Sequence, residues 1–236
     1  ETLKKYTKKS GNKYFVMRHG EAEHNVQKVF NCDPSKTFHL TEKGKQQALE
    51  SAKLLKDKNI DLIYQSPFMR AKETAQIVAD TIGFGADKII TEERIGELQV
   101  GDLGEGPFEE FLRFREEKLE SYNTPFPNGE SYQDAKKRIG DFIYEIENKY
   151  AGKNILIIGH GVASETMDSI VRGSHKEKAL EQVFVKCIEK GTFREYDFIP
   201  LPHNENYELD LHRPFIDDVV LEKDGKTFTR VKEVLD

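Results

Sequence analysis

A chain of 236 residues, 37% hydrophobic and 33% charged, can build one sizeable core with an extension and is marginal for two full domains. A formal net charge of -6 and a pI near 5.8 exclude a global basic field that would draw it to nucleic acid or an anionic membrane, while leaving room for a local basic pocket. Cys32 and Cys187 match neither a disulfide framework nor a zinc pattern, and no apolar run suits a signal peptide or membrane span. The expected setting is a reducing cytoplasm, without a membrane partner.

The lysine-rich opening, ETLKKYTKKSGNK, predicts a solvated linker over residues 1–12. The run KYFVM then predicts a strand, followed by a loop and a helix in LTEKGKQQALESAKLLKD, where Ala48, Leu49, Ala52 and Leu55 recur at helical spacing. The pattern returns in IDLIYQSPFMRAKETAQIVADTIG. There Ile60 to Tyr64 form a strand, Ser66 and Pro67 mark a helix start, Ala71, Ala75, Val78 and Ile82 share a face, and Gly83 stops the helix. Next come a charged helix in EEFLRFREEKLESY and a covering helix in PNGESYQDAKKRIGDFIYEIENKY. Ser131 is placed to accept from the backbone N–H three residues on, and Asp134 adds negative charge to the first turn. A third strand and helix follow in NILIIGHGVASETMDSIVRG, and GTFREYDFIPLP alternates like a closing edge strand. Unbroken apolar strands alternating with helices predict an α/β fold: a three-layer α/β/α sandwich around a mostly parallel central sheet.

Ligands of an open parallel sheet collect beyond the carboxyl ends of its strands, near helix N-termini. Those ends carry Arg18-His19-Gly20, Ser66 through Arg70, and Gly159-His160-Gly161, and Glu97 follows the short apolar stretch KII. Two arginines and helix N-termini make a receptor for a tetrahedral dianion, because the guanidinium fork matches phosphate oxygens. In that field a neutral imidazole oriented through its second nitrogen can attack phosphorus. A second, protonated imidazole would neutralise the equatorial oxygens, and a carboxylic acid could protonate the leaving alkoxide and then activate water. The glycines beside His19 and His160 are expected to let a ligand approach. Arg70 in a first helical turn opposes the helix dipole, and an anion supplies a reason for it. Asp102 and Glu105 are rivals to Glu97. His19 and His24 stand five apart in a loop rather than four apart on a helix, so no protein metal site is expected and His24 is expected to face solvent.

In order, RHGEAEHN, LTEKGKQQA, SPFMRAKETA, GELQVGDLGEG, PNGESYQDAKKR and IIGHG resemble the histidine phosphatase superfamily, which includes cofactor-dependent phosphoglycerate mutases, over residues 13–203. The resemblance implies a phosphoglycerate mutase-like fold, His19 as the phosphohistidine, Arg18, Arg70 and His160 as phosphoryl-binding residues, Glu97 as proton donor, and Asn25 lining the phosphate pocket. It implies no metal and no cofactor, with a small-molecule phosphate ester as partner. GDLGEG holds one residue more than the usual spacing after Glu97. An Arg-Tyr-Gly type mutase motif is missing between Phe108 and Asn128, which favours a phosphatase, and the intervening cap reads as short and polar.

The tail, residues 204–236, carries a second resemblance. YELDLHRPFIDDVVLEKDGKTFTRVKEVLD is similar to the segment of isoleucyl-tRNA synthetases where the inserted editing region returns to the aminoacylation core. Read without that resemblance, His212, Arg213 and Pro214 open a strand hairpin with Asp224 and Gly225 as its turn. Both chain ends read as cut from something longer. The expected whole is therefore a phosphatase domain within an isoleucyl-tRNA synthetase, meeting tRNA and ATP only through that parent, with no reading of oligomeric state. The alternatives are a non-catalytic insert that binds phosphate or a tRNA end, and a mutase-type phosphotransferase.

Overall fold

The computed structural model describes residues 10–119, 121–172, 187–197, 220–223 and 226–229. Strand β1 (Lys13–Arg18) is followed by a four-residue helix α1 (Glu23–Val26) and helix α2 (Glu42–Leu55). Strand β2 (Leu62–Gln65), helix α3 (Met69–Ile82) and strand β3 (Ile90–Thr91) come next. After them lie α4 (Phe108–Glu117), α5 (Tyr132–Lys149), β4 (Asn154–Gly159), α6 (Gly161–Arg172) and β5 (Phe193–Asp197). The sheet order is β3-β2-β4-β1-β5, with β5 the antiparallel edge and the rest parallel, as expected. A separate antiparallel pair joins β6 (Val220–Lys223) to β7 (Lys226–Thr229). The residues expected to open and turn that hairpin, His212, Arg213, Pro214, Asp224 and Gly225, lie outside the described residues, as do residues 1–9 of the expected linker.

The unbroken apolar runs follow from burial on both faces. In β1, Tyr14 and Val16 pack with Ile155 and Ile157 of β4 against α5 and α6, through Ile139, Phe142, Ile143, Met167 and Ile170. Phe15 and Met17, pointing the other way, meet Leu156, Ile158 and Ile63 against Ala48, Ala52, Ala71, Ala75 and Val78 of α2 and α3. Small alanines on those helices let them lie close to the sheet. Two expectations shift slightly. Leu49 is only partly buried, while Gly44 and Ser51 join the inner face of α2. Helix α3 starts at Met69 after Phe68, without a side-chain cap, because Ser66 is engaged elsewhere. Gly83 does end it, left-handed at φ 75°, and Ser131 caps α5 by accepting from the Asp134 N–H at 3.1 Å.

Gly20 has a packing purpose beside the one expected. A Cβ there would overlap the backbone carbonyl of Gly44, and a Cβ on Gly44 would overlap the carbonyl of Glu21. The glycine pair lets the loop after β1 press against the first turn of α2, which fixes where His19 sits. For Gly44→Ala, helix propensity favours alanine by about 1 kcal/mol. The clash is with rigid backbone, so overpacking of about 1–3 kcal/mol wins and a net loss of stability follows. Chemical denaturation checks this, and an unchanged midpoint would contradict the close approach.

Candidate active site

Register brings the predicted residues together. Arg18 pairs with Gly159 across β1 and β4, the His19 N–H donates to the Gly159 carbonyl at 3.0 Å, and the Ser66 N–H donates to the Ile158 carbonyl at 2.9 Å. His19, Ser66 and His160 therefore leave three neighbouring strands at one level. Arg70, on the first turn of α3, reaches back among them and is 1% exposed.

Hydrogen-bond logic fixes both imidazoles. His19 Nδ1 lies 2.7 Å from the Gly20 carbonyl, which can only accept, so Nδ1 carries the proton and Nε2 presents a lone pair. The Arg70 Nε–H donates to that Nε2 at 3.1 Å. His160 Nδ1 accepts from Arg70 Nη2 at 3.2 Å, which leaves its Nε2–H to donate to Ser66 Oγ at 2.7 Å. The rings are 5.2 Å apart, and Phe68 packs edge-on to His160 at 4.7 Å. Burial first, and the Arg70 charge second, hold both histidines well below the usual imidazole pKa. A protonated His160 thus requires an anion alongside it to offset the guanidinium field.

Arg70 gives two further donors to Asn31, through Nη1 to Oδ1 and Nη2 to the backbone carbonyl at 3.1 Å. Asn31 is in turn tied to Glu105, whose Oε1 also accepts from the Cys32 and Asp33 N–H groups. Glu105 is thereby a loop anchor, held at φ 62°, and Asp102 is bound to Asn128. Among the three rival carboxylates, Glu97 alone stands at the imidazoles, with Oε2 3.7 Å from His160 Nδ1. The segment after it forms a short turn, Gly101–Leu103. Arg138 of α5 pins the Glu97 segment by donating to the carbonyls of Gly96 and Glu97 at 3.1 and 3.0 Å. Sequence reasoning passed over Asn31 and Arg138, which signal themselves only through long-range contacts.

Arg18 ends β1 with Nη1 donating to Cys187 Sγ at 3.0 Å and the Ile188 carbonyl at 3.1 Å. It borders a cavity of about 260 Å³ shared with Glu97, Phe30, Phe108, Phe111, Tyr132, Arg115 and Glu165. Burial pushes the Glu165 carboxyl up to about 7. The cap is polar only on its outer side: α4 turns Phe111 inward, 4.4 Å from Phe30 and stacked with Phe126, while Phe108 stacks on Phe30 and stays 40% exposed. His24 also departs from expectation. It is 6% exposed rather than solvent-facing, because α1 turns it beneath Phe38 and beside His19. The Asn25 side chain makes its hydrogen bonds to the Ala22 N–H at 3.1 Å and to His24 Nε2 at 2.9 Å.

Cys32 and Cys187 are both free thiols. Among the described residues no group of three or more His, Cys, Asp or Glu is placed to hold a metal ion, and no helix is long and apolar enough to cross a membrane.

Two imidazoles and two guanidiniums converging at strand ends invite comparison with known proteins. Residues 14–182 match the Histidine phosphatase superfamily (branch 1). The chain belongs to the histidine phosphatase superfamily. Superfamily members are phosphatases or phosphomutases, and the chain's activity falls in that class. It is 26% identical over 194 residues to the Uncharacterized phosphatase PhoE of Bacillus subtilis (strain 168), covering 82% of this chain and 95% of that protein. It is 30% identical over 183 residues to a 2,3-bisphosphoglycerate-dependent phosphoglycerate mutase of Bartonella tribocorum, covering 73% and 87%. Among solved structures, Bacillus stearothermophilus YhfR superposes with a TM-score of 0.65 at 21% identity, over 94% of this chain and 96% of that one, so the two share a fold.

Proposed function

We propose that this chain is a metal-independent phosphomonoesterase that works through a phosphohistidine at His19. The observation that carries the reading is the His19 tautomer: the Gly20 carbonyl holds the Nδ1 proton, and the Nε2 lone pair lies among Arg70 and His160. A phosphoryl group entering there takes over Arg70 donors now held by the imidazoles. Nε2 forms a bond to phosphorus as the bond to the leaving oxygen breaks, and Glu97 protonates that oxygen. Arg18, Arg70 and His160, protonated in the company of the dianion, neutralise the equatorial oxygens. Glu97, now ionised, takes a proton from the water that attacks the phosphohistidine, which returns His19 and releases phosphate. Asn25 serves the same pocket through His24.

Hydrolysis is favoured over mutase chemistry by the cavity beside Arg18. A mutase must hold a second anionic substrate where a phosphatase holds only a leaving group, and in this cavity the Glu97 and Glu165 carboxyl groups accompany Arg18 and Arg115, with aromatic rings forming much of the rest of the wall. Similarity to PhoE supports the phosphatase reading, and the absence of an Arg-Tyr-Gly type motif agrees with it. The aromatic wall points to leaving groups with a flat or apolar body. With chelator present, p-nitrophenyl phosphate is expected to turn over with a higher kcat/KM than 3-phosphoglycerate. Exchange between phosphoglycerates that depends on a bisphosphate primer, exceeding hydrolysis, would establish the mutase instead. Phosphate binding without turnover of any ester would leave a non-catalytic receptor.

We further propose that the parent of this domain is a cytoplasmic isoleucyl-tRNA synthetase. The support is the length and order of the resemblance that residues 207–236 bear to the synthetase segment, in a stretch beyond the superfamily match. Sequencing the gene past Asp236 tests it. A catalytic-core motif containing Trp-Phe is expected immediately downstream, and an unrelated sequence there removes the proposal.

A further inference from the structure

The protonation of His24 can be derived from its neighbours. The Ala22 N–H can only donate, so the Asn25 atom it meets is the carbonyl oxygen Oδ1, and the other end of that amide is the NH₂ group. That NH₂ can only donate as well, so His24 Nε2, 2.9 Å away, accepts and carries no proton. Burial, then the charges of Arg70, Arg18 and Lys190, lower the ring's pKa to about 3 and keep it neutral. A neutral imidazole has a single N–H, and here it must be at Nδ1.

That Nδ1–H is buried without a protein acceptor, in a side chain only 6% exposed. Buried donors are almost always satisfied, and each exception calls for an explanation. The Nε–H of Arg18 is buried and unpartnered in the same way. One of these residues precedes His19 in the chain, and the other packs a ring 5.7 Å from it. Two donors lacking acceptors beside the same nucleophile are the arrangement expected where the acceptor is an anion bound in turnover.

We propose that His24 is a further phosphoryl-binding residue, donating from Nδ1 to an oxygen of the phosphoryl group at His19, and that Asn25 is its positioning residue. The assignment rests on the phosphohistidine reading and deepens it. It also gives Asn25 a physical role, since accepting from Ala22 locks the amide, and the locked amide sets the tautomer of His24. The competing account makes the ring a packing element between His19 and Phe38, which any apolar side chain of similar size could replace.

Orthovanadate binding separates these accounts. His24→Leu is expected to weaken vanadate roughly ten- to a hundredfold, the loss of one hydrogen bond to a charged acceptor. His24→Asn, whose amide nitrogen falls near the position of the imidazole Nδ1, is expected to recover most of that loss. Nitrogen-15 spectra of wild-type histidines are expected to show His24 as the Nδ1–H form, with that proton shifting when vanadate is added, a readout that survives if a variant fails to fold. Equal affinity in wild type and His24→Leu, equal loss in both variants, or an Nε2–H spectrum for His24 would overturn the assignment. Failure of the wild type to bind vanadate would instead bring down the phosphohistidine reading along with it.

Discussion

His19→Ala is expected to lower turnover of any phosphate monoester by at least about 10⁴-fold, the scale seen when a covalent nucleophile is removed, and to leave no acid-labile phosphate on the protein after brief exposure to substrate. The neighbouring imidazoles are poorly placed to substitute. His160 commits its Nε2–H to Ser66 Oγ and its Nδ1 to Arg70, and His24 Nε2 is held by Asn25. Among the described histidines only His19 combines a Nδ1–H locked on a carbonyl with an Nε2 whose protein partner is a guanidinium. Loss of the ring at a 1% exposed position costs packing too, so the denaturation midpoint must be followed in parallel. Phosphoenzyme that still formed in a folded His19→Ala protein would move the nucleophile to His160.

The sheet and the position of His19 at the ends of its strands are legible in the sequence because both depend on local signals. Tyr14 to Met17 and Ile155 to Ile158 are apolar without interruption, so a strand covered on both faces follows from the residues themselves, and whatever stands at its carboxyl end stands at the site. His19, His160 and Arg70 were found that way. His24 was misjudged because its burial belongs to a four-residue helix whose own composition is polar. Its cover comes from Phe38 and its polarity from Asn25, neither of which a periodicity reports. The cap was misread for a related reason. Glutamates and arginines dominate EEFLRFREE, yet Phe108, Phe111 and Arg115 recur on one face, and the rings that complete the wall, Phe30 and Tyr132, come from distant segments. Glu97 and Glu105 look alike in the sequence. Their surroundings divide them: Glu97 Oε2 lies 3.7 Å from His160 Nδ1, while Glu105 is hydrogen-bonded to the loop that holds Asn31.

Arg70→Gln is expected to lower kcat/KM by about 10³-fold near neutral pH, since it deletes a preorganised donor set aimed at the phosphoryl oxygens. It should also change the pH profile in a defined direction. Burial is the first cause of the depressed pKa of His19, His24 and His160, and the Arg70 charge is the second for each. A nucleophile of that kind is neutral above its pKa and lost as pH falls through it. Removing the cation raises the pKa, so the acid limb of kcat/KM moves to higher pH and the deficit of the variant is larger at acid than at alkaline pH. Stability responds with the opposite sense. A histidine held neutral in the fold contributes stability that is complete above the unfolded pKa of about 6.5 and declines as pH falls toward the folded pKa, by up to about 1.4 kcal/mol per pH unit for each group. In Arg70→Gln the folded pKa values rise, so the decline stops sooner and stability depends less on pH below 6.5 than in the wild type. Glu165, raised to about 7 from 4.5, works against the histidines between those pH values, but it does so in both proteins and cancels in the difference. Denaturation midpoints and kcat/KM measured from acid to alkaline pH on both proteins check the pair of trends. Parallel acid limbs would show that burial alone sets the histidine pKa values and that Arg70 acts only as a phosphoryl ligand.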